Sequence, residues 1–107
     1  MTRPTAIVFR DMEPSSALTA DIESRVARLR TLFPALLETC QVVVDKPHER
    51  HTKGNHYRVV IELGTSKGPV VVSKEHGERD EHEDAYLSVR DAFKAAERQL
   101  EPLKSLR

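Results

Sequence analysis

Two stretches of this chain repeat their apolar residues with the period of a helix, and each carries a single apolar stripe. Leu18, Ile22, Val26, Leu29 and Phe33 fall four, four, three and four residues apart, and Tyr86, Val89, Phe93, Ala96 and Leu100 fall three, four, three and four apart. Such spacings gather side chains on one side of a 3.6-residue turn. A helix with one stripe buries it against one layer and leaves its remaining surface in water. The two stripes therefore need a common apolar surface, and the segments around them supply it.

Those segments read as strands. Residues 5 to 10 form a short apolar run, and residues 39 to 46 (Thr-Cys-Gln-Val-Val-Val-Asp-Lys) form a second. From His56 the pattern alternates, with Tyr57, Val59, Ile61 and Leu63 on one face and His56, Arg58, Val60 and Glu62 on the other, which is the period of a half-buried strand. Gly64 to Gly68 is expected to turn the chain into a fourth strand from Pro69 to Lys74. Ser15 or Ser16 is placed to cap the first helix, and Pro34 to end it near Phe33. The last helix should open near Glu83 and stop at Pro102. The resulting order predicts an α+β fold, a two-layer β-α-β-β-β-α sandwich in which two helices cover one face of a four-stranded mixed sheet. No linker or repeat divides residues 1–107, so one domain is expected, with 101–107 as a short tail.

Composition narrows the function classes. No apolar run approaches the roughly 20 residues of a membrane span, and no signal-peptide core stands at the N-terminus, so a cytoplasmic protein is expected. A single cysteine, Cys40, lies in a strand-like run and reads as a small core residue. Gly-rich phosphate loops, G-x-S-x-G, H-E-x-x-H and C-x-x-C are all missing, which argues against an enzyme and against a bound cofactor.

Lys and Arg number 17, Asp and Glu also 17, so the net charge is zero. The charges are unevenly spread. Between residues 46 and 58, Lys46, Arg50, Lys53 and Arg58 stand against Glu49; between 78 and 84, Glu78, Asp80, Glu81, Glu83 and Asp84 stand against Arg79. With the apolar stripes turned inward, Arg25, Arg28 and Arg30 lie on or beside the outer surface of the first helix, and Arg90, Lys94 and Arg98, four apart, stripe the second. Helices lying side by side would offer these groups to one RNA surface, where guanidinium forks suit phosphate. Lys46, Arg50 and Lys53 in the loop after the second strand would add phosphate contacts. The bland alternative is a solvated helix face. His48, His51 and His56 share that loop, but zinc usually takes four ligands, and the one Cys lies in a strand, so no metal site is assigned.

At this point the chain resembles the ribosome hibernation-promoting factor family, also known as ribosomal subunit interface or sigma modulation proteins. The resemblance runs from Ile7-Val8-Phe9 to Leu100 and is most specific in Asp84-Ala85-Tyr86, opening the last helix, and in Arg98-Gln99-Leu100 near its end. The first helix is similar in Arg25, Arg28, Leu29 and Phe33, and Lys46-Pro47-His48 through Gly54-Asn55 is similar to a histidine-rich loop of one branch. The resemblance implies a β-α-β-β-β-α domain that binds rRNA of the small ribosomal subunit in the channel for mRNA and tRNA, through Arg25, Arg28 and Arg98, and silences idle ribosomes. Arg30, Arg90 and Lys94 would extend that surface. It also implies the short form of the family, acting on single ribosomes or with a partner hibernation factor, and neither a membrane nor DNA as partner. Two features depart from the family: the zero net charge, and Glu101-Pro102-Leu103 where a basic tail often continues. They motivate a second expectation, a protein-interaction module that kept the fold and lost the ribosome.

Overall fold

A computed structural model of the chain describes residues 5–46, 57–76 and 81–105. Most of the loop expected after the second strand, with Arg50, Lys53, His48, His51 and His56, lies outside the described residues, as do Glu78 and Asp80. The elements are β1 (Thr5–Arg10), α1 (Ser16–Leu32), β2 (Leu37–Asp45), β3 (Tyr57–Thr65), β4 (Val70–His76) and α2 (Glu81–Lys104), in the order the sequence predicts. The sheet order is β1-β2-β3-β4. β1 runs parallel to β2, and the other two neighbouring pairs are antiparallel. The sheet is therefore mixed, as expected.

Both helical stripes close over one face of the sheet. Ile22, Val42, Val44, Val59, Ile61, Val89, Ala96 and Leu100 are fully buried there, with Ile7 and Phe9 of β1 packed at the margin. Ser88 Oγ donates to the Tyr57 carbonyl at one end of the sheet, and Lys104 lies over the Phe33 ring at the other. α2 thus ends beside the end of α1, and the two helices run in the same direction.

Ser15 is the cap of α1: it is extended at φ −116°, ψ 117°, and its Oγ accepts from Leu18 N–H at 3.1 Å. Phe33 ends the helix, its N–H donating to the Leu29 carbonyl at 2.9 Å. Ser15→Ala removes the acceptor of the Leu18 N–H and is expected to lower unfolding free energy by about 1 kcal/mol in urea titrations.

β2 opens at Leu37 rather than Thr39 and β4 runs to His76 rather than Lys74, and two further boundaries differ from the sequence reading for reasons of packing. Gly64 belongs to β3, which runs on to Thr65. Gly64 is paired with Thr39, and a Cβ at Gly64 would collide with Thr39 Oγ1, so the glycine serves a close approach between strands rather than the turn. Gly68, at φ 112°, makes the turn instead, with Thr65 Oγ1 accepting from Lys67 N–H and donating to the Gly68 carbonyl. At the other end, α2 does not stop at Pro102 but continues to Lys104. A proline in the last turn leaves one carbonyl without its helical donor. That loss falls on the exposed side, while Leu103 packs on the core and the Lys104 ammonium sits 5.7 Å from the Phe33 ring centroid.

Cys40 is 3% exposed in β2, as its sequence setting implies. Burial pushes its thiol up from 9.0 to about 11, with the Arg30 guanidinium pulling weakly the other way. The folded thiol holds its proton above the pH at which the unfolded one releases it. Its contribution is intact below pH 9 and is lost as pH climbs from about 9 to about 11. Stability measured over that interval should fall more for the native chain than for Cys40→Ala, each taken relative to its own value at pH 8.

Candidate nucleic-acid interface

The outward surface of the helix layer is set by the same periodicity that buries the core. On α1, Asp21, Arg25 and Arg28 flank the stripe of Ile22, Val26 and Leu29 on one side, Asp21 and Arg25 half-buried and Arg28 exposed. On α2, Arg90, Lys94, Glu97, Arg98 and Glu101 share the outer face. An ion pair joins the two helices: Arg28 Nη2 donates to Glu97 Oε1 at 3.2 Å. Arg28 and the Lys94–Arg98 segment therefore belong to one surface. Arg25, one turn before Arg28, continues it and donates through Nε to Asp21 Oδ2 at 2.9 Å. Lys94 and Arg98 are exposed, and neither has an ion pair among the described residues. With Glu97 and Glu101 they line the open groove along the end of α2.

The other expected residues are placed differently. Arg90 is exposed and held by its neighbour Asp91 at 3.1 Å. Arg30 is half-buried, donates to Thr5 Oγ1 at 2.7 Å, and lines the groove between α1 and β1, away from Arg25 and Arg28. Lys46 is half-buried at the end of β2; its backbone N–H donates to the Arg10 carbonyl, and its ammonium lies 5.7 Å from the Tyr57 ring centroid. Of the nine basic positions, the geometry brings together Arg25, Arg28, Lys94 and Arg98, with Arg90 at the N-terminal end of the same α2 face.

Sequence reasoning did not single out Glu97, which couples the helices. It also grouped Arg58 with the basic loop. In the structure Arg58 donates to Asp45 Oδ2 at 2.7 Å and lies 3.7 Å from Glu75, on the face of the sheet turned away from the helices. The strand alternation read from the sequence places Arg58 on that face too, opposite Tyr57 and Val59. Of the acidic run, Asp84 is fully buried in the first turns of α2 rather than solvated, and its carbonyl accepts from Ser88 Oγ at 2.8 Å. Among the described residues no three His, Cys, Asp or Glu side chains gather as a metal site. No described helix is long and apolar enough to cross a membrane.

A profile of the family described as sigma 54 modulation protein / S30EA ribosomal protein matches residues 5–107. The chain belongs to this family. The membership makes it one of a ribosome-associated group, not one of an enzyme family. Several solved structures share its fold. The N-terminal domain of Protein Y from Thermus thermophilus is 20% identical, with a TM-score of 0.71 over 95% of this chain and 99% of that one. A ribosomal subunit interface protein from Coxiella burnetii is 14% identical, with a TM-score of 0.75 over 96% of this chain and 99% of its own. At these identities they support the fold and leave the contact residues to be argued from this chain. No individually curated protein sequence matches it.

Proposed function

We propose that the chain is a hibernation factor that binds rRNA in the mRNA and tRNA channel of the small ribosomal subunit, through the joint outer face of α1 and α2, and so silences idle ribosomes in the cytoplasm. The observation that carries this reading is the Arg28–Glu97 bridge, which makes one surface of Arg25, Arg28, Lys94 and Arg98 in a chain of a ribosome-associated family. The titration of that surface by its own carboxylates is a weak obstacle. Exposed ion pairs contribute only about 0–1 kcal/mol, and a phosphate can take both arms of a guanidinium fork while its RNA releases counterions. A phosphate can therefore displace Glu97 from Arg28, whose side chain is 68% exposed. Arg25 is the more firmly held, its pair with Asp21 being shorter and less exposed.

Co-sedimentation with small ribosomal subunits across a salt series tests the proposal. Affinity should fall linearly with salt on logarithmic axes, because each phosphate neutralised releases a counterion. An absence of binding at low salt would overturn it. A second reading rests on the carboxylate partners of Arg25, Arg28 and Arg90: a protein-interaction module whose basic residues serve helix packing. Its signature is a partner captured from lysate that survives nuclease treatment while ribosomes do not bind.

A further inference from the structure

The face of the sheet turned away from the helices is organised in rows. Strand register sets Arg10, Asp45, Arg58 and Glu75 side by side across the four strands. The next row is Val8, Val43, Val60 and Ser73, and the third is Ala6, Gln41, Glu62 and Val71. The first row alternates in charge. Val8 and Val71, 38% and 58% exposed, are the exposed large apolar residues among those described, and both lie on this face. No described element covers it. Two cations, Arg10 and Arg58, stand against three anions, Asp45, Glu62 and Glu75, so the face suits phosphate poorly.

We propose that this face docks against the same face of a second copy of the chain, about a two-fold axis that runs along the strands between β2 and β3. The argument is charge complementarity. That axis lays β1 over the β4 of the other copy and β2 over its β3, and it keeps each row over itself, turned end for end. A row whose signs read plus, minus, plus, minus then meets minus, plus, minus, plus. At the exposed edges Arg10 faces the other copy's Glu75, while Asp45, 5% exposed, stays paired with Arg58 of its own chain. In the second row Val8 faces Ser73, and in the third Val71 faces Ala6, so both exposed apolar side chains meet small ones. A two-fold axis across the strands does worse: it lays Arg10 over Ala6 and Glu75 over Val71, so neither exposed edge charge meets an opposite one across the copies. Isologous pairing of this kind is the common route to homodimers, and aligned sheets pack about 10 Å apart. Four strands about 4.8 Å apart and about 20 Å long present a flat area of only about 400 Å² per copy. That lies at the low end for specific contacts, so the dimer is transient, with a dissociation constant on the order of 100 µM.

Sedimentation equilibrium of the purified chain from about 10 µM to about 1 mM reads this directly. The average mass should rise towards twice that of the monomer. Arg10→Glu or Glu75→Arg alone should weaken association about tenfold by setting like charges face to face. The double variant should return to within about threefold of the native chain. Arg10 and Glu75 lie on opposite edges of the sheet, three strand spacings apart, so this rescue has to come from the other molecule. Val60→Lys should abolish the dimer and leave circular dichroism and ribosome co-sedimentation unchanged. A native chain that stays monomeric at about 1 mM overturns the proposal, as does a double variant no better than the singles. Loss of ribosome binding in folded Val60→Lys also overturns it, because the ribosome would then be what covers this face.

Discussion

Lys94→Glu combined with Arg98→Glu should weaken binding to small ribosomal subunits by at least about 100-fold at physiological salt. Two charge-assisted phosphate contacts contribute roughly 3–6 kcal/mol together, and 1.4 kcal/mol is a factor of ten. The slope of affinity against salt should fall by about two. Both side chains are exposed, and neither has an ion pair among the described residues, so the reversal breaks no bond of the fold, and the like charges it sets beside Glu97 and Glu101 should lower unfolding free energy by only about 1 kcal/mol. This makes the α2 pair a cleaner probe than Arg25 with Arg28. Arg25→Glu would set a like charge four residues from Asp21 and weaken α1 itself. A variant of opposite effect separates RNA contact from helix packing. Glu97→Gln removes a negative charge from the surface and frees Arg28, so binding should tighten a few-fold. If Arg28 serves only to tie α1 to α2, the same variant loses stability and gains no affinity. Unchanged co-sedimentation of the double charge reversal would remove the helix face as the site.

Much of this fold was legible because its two periodicities do not overlap. The stripe from Leu18 to Phe33 and the alternation from Tyr57 to Leu63 each admit one element type, and with Pro34 and Ser15 they place α1 closely. The misreadings have a common cause. Gly64 looked like a turn residue because sequence shows its conformational freedom but not Thr39, which lies opposite it only once β2 and β3 are in register. Pro102 looked like a stop because its local penalty is visible and the tertiary contacts of Leu103 and Lys104 are not. The candidate site divides in the same way. Helical spacing brings Lys94 and Arg98 together, and Arg25 and Arg28, from sequence alone. That the two pairs share a surface depends on Glu97 reaching Arg28 across the helix–helix boundary, which no spacing within one helix encodes. The alternating row of Arg10, Asp45, Arg58 and Glu75 is drawn from four strands, and its order depends on three registers.

Phe33→Ala should be the most damaging single truncation in the helix layer, lowering unfolding free energy by about 3–5 kcal/mol in denaturant titrations. Phe33 is 1% exposed, so its ring is lost to a cavity rather than to solvent. Its position adds a second consequence. The ring is the surface on which Lys104 rests, and Leu103 packs on the same core cluster. The last turn of α2 has a proline at Pro102, so it lacks the hydrogen bond that would otherwise hold it and depends on these contacts. Truncating the ring should therefore fray α2 from about Glu101 onward, seen as faster amide exchange there than in the middle of the helix. Phe33→Leu separates the two effects: it keeps most of the buried volume, costs less in global stability, and still removes the aromatic face under the Lys104 ammonium. If α2 beyond Pro102 exchanges no faster in either variant, the turn is held by its own backbone, and the account of why a proline is tolerated there fails.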